Sequence, residues 1–251
     1  MLTRDEHERV GTTHEPHPFP TRNNRSVELQ VRFLLLSQVV RVLMAAAMVA
    51  GFGWSAVGQI GTGGTDDLEQ CRLDETMSEL RLRACTRVID DRQRIADVRA
   101  EAFLNRGTAK EELGDTAGAI SDYTEGLKLN PNYRQLYLRR GLAYEQEGKR
   151  DLAVTDFSQA IRLDPKDAEA LIFRGLTYAS QGDFGRALMD YDAAIAENPD
   201  DDMALVIRGE VREEMGQRES AIADYRRALE LNPQNTEAKE GLERLRRANR
   251  E

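Results

Sequence analysis

Helix-like apolar runs repeat along the second part of the chain, and prolines interrupt them at a fixed interval. Pro131, Pro165, Pro199 and Pro233 stand 34 residues apart. In the segment 163–175, LDPKDAEALIFRG, the proline is followed by a new apolar run that closes on Arg-Gly. Because proline pushes its predecessor out of the α region, each proline ends one helix before the next begins. A fixed period of this size predicts a repeat architecture built from helices.

Small and aromatic residues recur at the same places in every block. The blocks start at Ala100, Arg134, Ala168 and Asp202 and align without a gap. The recurring sets are Gly107, Gly141, Gly175 and Gly209; Gly114, Gly148, Gly182 and Gly216; Ala119, Ala153, Ala187 and Ala221; and Tyr123, Phe157, Tyr191 and Tyr225. The second glycine suits a helix C-terminus, because glycine takes the left-handed conformation without a Cβ penalty. The first glycine and the alanine allow two helices to approach closely, and the aromatic fills the space beside them.

These residues make each block resemble the tetratricopeptide repeat (TPR), a helical hairpin of this length. The resemblance implies an all-α fold, an α-solenoid of TPR hairpins. Its four full repeats span 100–133, 134–167, 168–201 and 202–235. Phe103, Tyr137, Leu171 and Leu205 stand where the family often has tryptophan. Residues 236–251 lose the glycine pattern and are predicted to form a capping helix that solvates the end of the array.

A degenerate first hairpin is predicted over 59–99. The stretch LRACTRVIDD resembles the second helix of a block if Cys85 takes the place of Tyr123, and Cys71 then lies on the first helix of that hairpin. An exported chain meets an oxidising compartment, so Cys71 and Cys85 are predicted to form a disulfide. The alternative is that both are free thiols or small buried hydrophobic residues.

The first part of the chain predicts export. Residues 1–30 are polar and contain prolines, so they are predicted to form a disordered extension. The alternative is that the start codon is assigned too far upstream. Residues 31–58 contain a charge-free run from Val42 to Trp54, typical of a signal peptide. An uncleaved inner-membrane anchor and a cytosolic chain are the alternatives, and Arg41 counts against the anchor. The expected location is periplasmic or extracellular, with membrane contact only through this segment.

The composition argues against several classes of function, namely nucleic-acid binding, metal binding and catalysis. From Gln59 onward the chain has 29 Lys and Arg against 39 Asp and Glu, which disfavours nucleic-acid binding. All three histidines lie in the first seventeen residues, and the two cysteines do not form a CxxC pair. Without histidine, a metal-ligand motif or a phosphate-binding loop, the repeats are expected to be non-enzymatic and to need no cofactor.

The resemblance places a partner-binding groove on the first helices, at positions 2, 5, 9 and 12 of each block. These positions predict an apolar centre of Leu138, Leu142, Ile172 and Leu176, surrounded by Glu145, Glu210 and Glu213. A protein or peptide partner that is apolar with basic residues suits this composition. The alternative is that the leucines pack between hairpins. The carboxylate clamp of TPR co-chaperones is not matched, because Leu104 and Thr108 stand at its places. An interaction scaffold is therefore expected, and a membrane-anchored assembly or chaperone-like factor of the cell envelope is the alternative.

Charged residues also repeat. An arginine precedes the first glycine and an aspartate precedes the aromatic of each block: Arg106 and Asp122, Arg140 and Asp156, Arg174 and Asp190, Arg208 and Asp224. Antiparallel helices bring each pair to a similar height. Four copies favour a structural ion-pair ladder over a repeated active site.

Overall fold

The computed structural model describes residues 66–73 and 78–247. Within these ranges the secondary structure is helical, in agreement with the predicted all-α solenoid. The helices are α1 (Asp66–Arg72), α2 (Ser78–Asp90), α3 (Ala96–Glu112), α4 (Thr116–Leu129), α5 (Arg134–Gln146), α6 (Arg150–Leu163), α7 (Ala168–Ser180), α8 (Phe184–Glu197), α9 (Asp202–Glu214), α10 (Arg218–Leu231) and α11 (Thr236–Arg247). No helix in these ranges is both long and apolar enough to cross a membrane. The predicted segments 1–30 and 31–58 lie outside the described residues.

From α3 to α10 the helices form consecutive hairpins. The pairs α3/α4, α5/α6, α7/α8 and α9/α10 pack most closely, and each second helix also packs against the first helix of the next hairpin. Each first helix ends two residues before the second glycine of its block, which forms the turn. Gly114 and Gly182 there have φ values of +83° and +80°, which a residue with a Cβ adopts only with strain. The turn is therefore fixed by the sequence itself.

The first glycine of each block lies directly against the aromatic ring of the second helix. A Cβ at Gly107 would be 2.3 Å from Tyr123 Cε1, and a Cβ at Gly175 would be 2.6 Å from Tyr191 Cε1. The aromatic rings and the alanines four residues before them are completely buried. The missing side chain thus provides the room that the ring fills, and this contact sets how closely the two helices of a hairpin approach.

The first hairpin makes the same contact with a covalent bond. Cys71 on α1 and Cys85 on α2 are joined by a disulfide, with their Cα atoms 4.7 Å apart. Thr86, the residue after Cys85, accepts a hydrogen bond from Arg106, just as Thr124, the residue after Tyr123, accepts one from Arg140. Cys85 therefore occupies the place of the aromatic ring.

Helix α11 covers the other end of the array. It buries Ala238 and Leu245 against the last hairpin and carries Lys239 and Glu243 on its exposed side. Together with Leu229, these two charged residues line a cleft of about 430 Å³. By the repeat spacing, Glu243 stands where each full block has its first glycine. A further aromatic ring could not pack there as it does in the full blocks, so α11 ends the stacking.

The contact between glycine and ring predicts the effect of one methyl group. Gly175→Ala should lower stability by about 1–3 kcal/mol, because the added Cβ overpacks a buried ring. Gly185→Ala is the matched control on the partner helix. Its nearest neighbour atom would be 3.8 Å away, so better helix propensity should make it neutral or stabilising by roughly 0.5–1 kcal/mol. Urea unfolding followed by circular dichroism measures both, and equal effects would contradict the packing argument.

Candidate functional site

The groove face is the set of positions 2, 5, 9 and 12 on the first helix of each block. The apolar residues predicted for this face differ in how exposed they are. Leu142, Ile172 and Leu176 are half-buried, so part of each side chain is accessible. Leu138 is only 1% exposed and packs in a core cluster with Phe157. The sequence-based placement of Leu138 in an open groove is therefore wrong, because position 5 of this block faces the hairpin interior.

Acidic residues of the groove face are paired within the array. Glu213 accepts a hydrogen bond from Tyr225 Oη at 2.9 Å and forms an ion pair of 3.0 Å with Arg244. Burial lowers the pKa of the Arg244 guanidinium, but its bond to Glu213 and the acidic groups near it, Glu210 among them, together raise that pKa by more. The side chain of Glu145 is 6% exposed and lies 3.4 Å from Arg150 Nε. These carboxylates are therefore less available to a partner than their number in the sequence suggests.

Position 12 forms a hydrogen bond with the aromatic residue in the two outer blocks. Tyr123 Oη donates to Glu111 at 2.8 Å, as Tyr225 does to Glu213. The two middle blocks have half of this pair each. Block two combines Glu145 with Phe157, which has no hydroxyl, and block three combines Tyr191 with Ala179, which has no carboxylate.

Two buried polar atoms remain unpaired as a result. Among the described residues, Tyr191 Oη and Glu145 Oε2 find no hydrogen-bond partner. Burial raises the pKa of Tyr191, and it also raises the pKa of Glu145, although Arg150 and Thr177 oppose the rise at Glu145. Sequence reasoning missed this pattern, although the spacing of twelve residues between the glutamate and the tyrosine was visible.

The four arginine–aspartate pairs have one geometry. In each block the guanidinium binds both carboxylate oxygens, through Nε and Nη2, at 2.6 to 3.1 Å. The remaining Nη1 donates to the residue after the aromatic position of the preceding hairpin. These acceptors are Thr86, Thr124, Ser158 and Asp192, at 2.7 to 3.2 Å. Each arginine therefore connects the two helices of its own hairpin and the hairpin before it.

The environment of these pairs suits a structural role. The aspartate side chains are 4 to 8% exposed. Burial raises the pKa of Asp156, and the bond from Arg140 opposes this. Both carboxylate oxygens are occupied, so none of these aspartates is a free base. No group of metal-ligating side chains occurs within the described ranges.

Comparisons with known proteins agree with this geometry. A family model described as Tetratricopeptide repeat matches residues 104–168, 138–202 and 174–236, over half of the chain. A crystal structure of MamA is 24% identical and has a TM-score of 0.58, with 62% of this chain and 89% of that chain covered. MamA from Desulfovibrio magneticus RS-1 is 19% identical with a TM-score of 0.60, covering 68% and 94%. YrrB, described as a TPR protein with an unusual peptide-binding site, is 19% identical with a TM-score of 0.57, covering 66% and 84%. Such identities show a shared fold. The comparison with curated proteins gave no match.

The tyrosine–glutamate hydrogen bond forms in the fourth block but not in the third, so the same change from tyrosine to phenylalanine should have opposite effects in the two blocks. Tyr225→Phe should lower stability by about 1–2 kcal/mol, because it removes a donor from Glu213. Tyr191→Phe should be neutral or stabilising, because it removes a buried hydroxyl without a partner in the described part of the chain. Thermal and urea unfolding measure both variants. Similar losses in the two variants would show that Tyr191 Oη has a partner after all.

The buried carboxyl of Glu145 predicts a pH dependence. Its pKa is raised above the usual 4.5, so the folded chain keeps the proton at a pH where the unfolded chain has released it. Stability therefore falls as pH rises from about 4.5 through the folded-state pKa. Glu145→Gln should be more stable than the unmodified chain at pH 7 and lose this advantage below pH 4.5. Unfolding curves across this range test it, with exposed Glu147→Gln as the control.

Proposed function

Because the chain belongs to the tetratricopeptide repeat family, we propose that it is a non-enzymatic scaffold that binds a segment of a partner protein on its groove face. The proposal rests on the residues at position 9 of this face. It is occupied by Leu142 and Leu176 in the two middle blocks, and both side chains remain partly accessible. Apolar side chains that a fold leaves half-exposed at neighbouring, equivalent places suit an apolar ligand.

The charge around these leucines limits the partner's chemistry. Glu169 at position 2 of the third block is exposed and has no direct ion-pair contact with any described residue, although Arg139 and Arg134 lie close enough to act on its carboxylate. It is therefore better placed than Glu145 or Glu213 to meet a basic residue of the partner. The proposed segment is apolar, with a basic residue beside the apolar part.

Export is part of the proposal. The Cys71–Cys85 disulfide supports it, because structural disulfides persist in oxidising compartments. A membrane-anchored assembly or chaperone-like factor of the cell envelope is the alternative. Intact-mass measurement on envelope fractions distinguishes the two by whether residues 31–58 remain in the mature protein.

The groove face can be tested without knowing the natural partner. Peptides selected from a random display library on the oxidised full chain provide the probe, and fluorescence anisotropy measures their affinity. Leu142→Glu with Leu176→Glu should weaken binding at least tenfold, which corresponds to about 1.4 kcal/mol, because apolar contact is lost and two negative charges are added to the groove face. The helical circular dichroism spectrum should be nearly unchanged.

A matched control uses exposed apolar residues of the second helices. Leu152→Glu with Met189→Glu adds the same charge at side chains that are 46% and 72% exposed, and should leave affinity unchanged. Rising salt should weaken the binding of peptides that contain a basic residue, and Glu169→Gln should remove much of that dependence. If the leucine variant unfolds, the leucines belong to the core. If no peptide is enriched, or if the folded variant binds normally, the groove face is not the binding surface.

A further inference from the structure

Helix α1 packs mainly against α2 and to a smaller extent against α3. It has seven residues, and a helix this short is not stable by itself. Cys71 belongs to the first core cluster, the partly buried Leu68 packs against that cluster, and Asn105 donates a long bond of 4.0 Å to Cys71 Sγ. Two ion pairs, Arg72 with Glu101 and Arg87 with Asp67, connect α1 to α3 and α2. Both arginine side chains are about half exposed, so these pairs contribute little.

The first hairpin also lacks the arginine–aspartate pair that each full block has. Gln70 precedes Cys71 and Ala84 precedes Cys85, where the full blocks have arginine and aspartate. An alanine cannot accept a bond from a cation, so the pair that joins the two helices of every later hairpin cannot form here. The disulfide replaces both the contact between glycine and ring and this ion pair.

Helix α2, in contrast, has its own attachments to the first full repeat. The buried Arg81 guanidinium forms an ion pair with Glu112. Thr86 accepts a bond of 3.2 Å from Arg106, and the backbone oxygen of Ile89 accepts one of 2.9 Å from Arg99. None of these bonds involves α1. Loss of α1 would therefore leave α2 in place.

We propose that the Cys71–Cys85 disulfide is a redox-sensitive latch for α1. When local opening of the first hairpin exposes a sulfur, a dithiol reductant transfers two electrons and two protons to the bond, which yields two cysteine thiols and a cyclic disulfide on the reductant. Helix α1 then separates, while α2 and the four repeats stay folded. Separation uncovers apolar side chains that α1 helps to bury, among them Val88, Ile89 and Phe103. The end of the array thus has a closed, oxidised form and an open, reduced form.

Thiol accessibility in the full chain tests the latch. Cys71 and Cys85 are 1% and 0% exposed, so a thiol that stays in the closed form should react very slowly. Cys71→Ser leaves Cys85 as a single reporter, and the dithiothreitol-reduced protein provides a second sample. In both, iodoacetamide should alkylate Cys85 within about tenfold of its rate in urea-unfolded protein. Hydrogen exchange should show faster exchange in 66–73 and unchanged protection in 134–231.

Two results would overturn the latch. If iodoacetamide alkylates Cys85 at least about a thousandfold more slowly than in unfolded protein, α1 remains docked without the disulfide. Loss of protection throughout 134–231 would show that the disulfide supports the whole array and is not a local latch. The Cys71→Ala, Cys85→Ala pair serves as a control in hydrogen exchange, because it should reproduce the open form without any reductant.

Discussion

The array depends on one contact, a residue without a side chain lying against an aromatic ring where two helices cross. Gly175 and Tyr191 show the geometry, since even one added carbon at the glycine would lie 2.6 Å from the ring. The ring is fully buried only because the helices can approach to this distance. The same contact recurs once per 34 residues, so each hairpin has the same crossing and the hairpins stack as equivalents. The bond between Cys71 and Cys85 keeps this crossing where no ring is available.

The ion-pair ladder of the four arginine–aspartate pairs fixes the register in which neighbouring hairpins pack. A buried ion pair is costly to desolvate and is weak evidence for stability by itself. Arg140, however, binds Asp156 within its hairpin and Thr124 in the hairpin before it, so its three bonds are satisfied together only at one register of neighbouring hairpins. Hydrophobic contacts along the stack tolerate small slips, whereas a planar guanidinium with fixed donor directions does not.

The sequence predicted the features that single residues determine. Proline and glycine act through the local backbone, so the helix ends followed directly from their positions, as the positive φ of Gly182 shows. Exposure on the first helices could not be predicted in the same way. Leu138 and Ile172 share a block position, yet Leu138 is buried and Ile172 is half-exposed, because burial depends on which side chains the neighbouring hairpins supply. The bond from Arg106 to Thr86 was hidden for the same reason, since it joins different hairpins.

The middle of the array differs from its ends in a way that bears on recognition. At position 9 the outer blocks have polar residues, and Thr108 lies 3.5 Å from the hydroxyl of Tyr123. The middle blocks have Leu142 and Leu176 there, and these same blocks lack the hydrogen bond between tyrosine and glutamate. Polar groups that pair with each other fill the ends, whereas the centre offers apolar surface. A ligand that buries apolar area gains most at the centre, because it displaces water there without breaking an internal hydrogen bond.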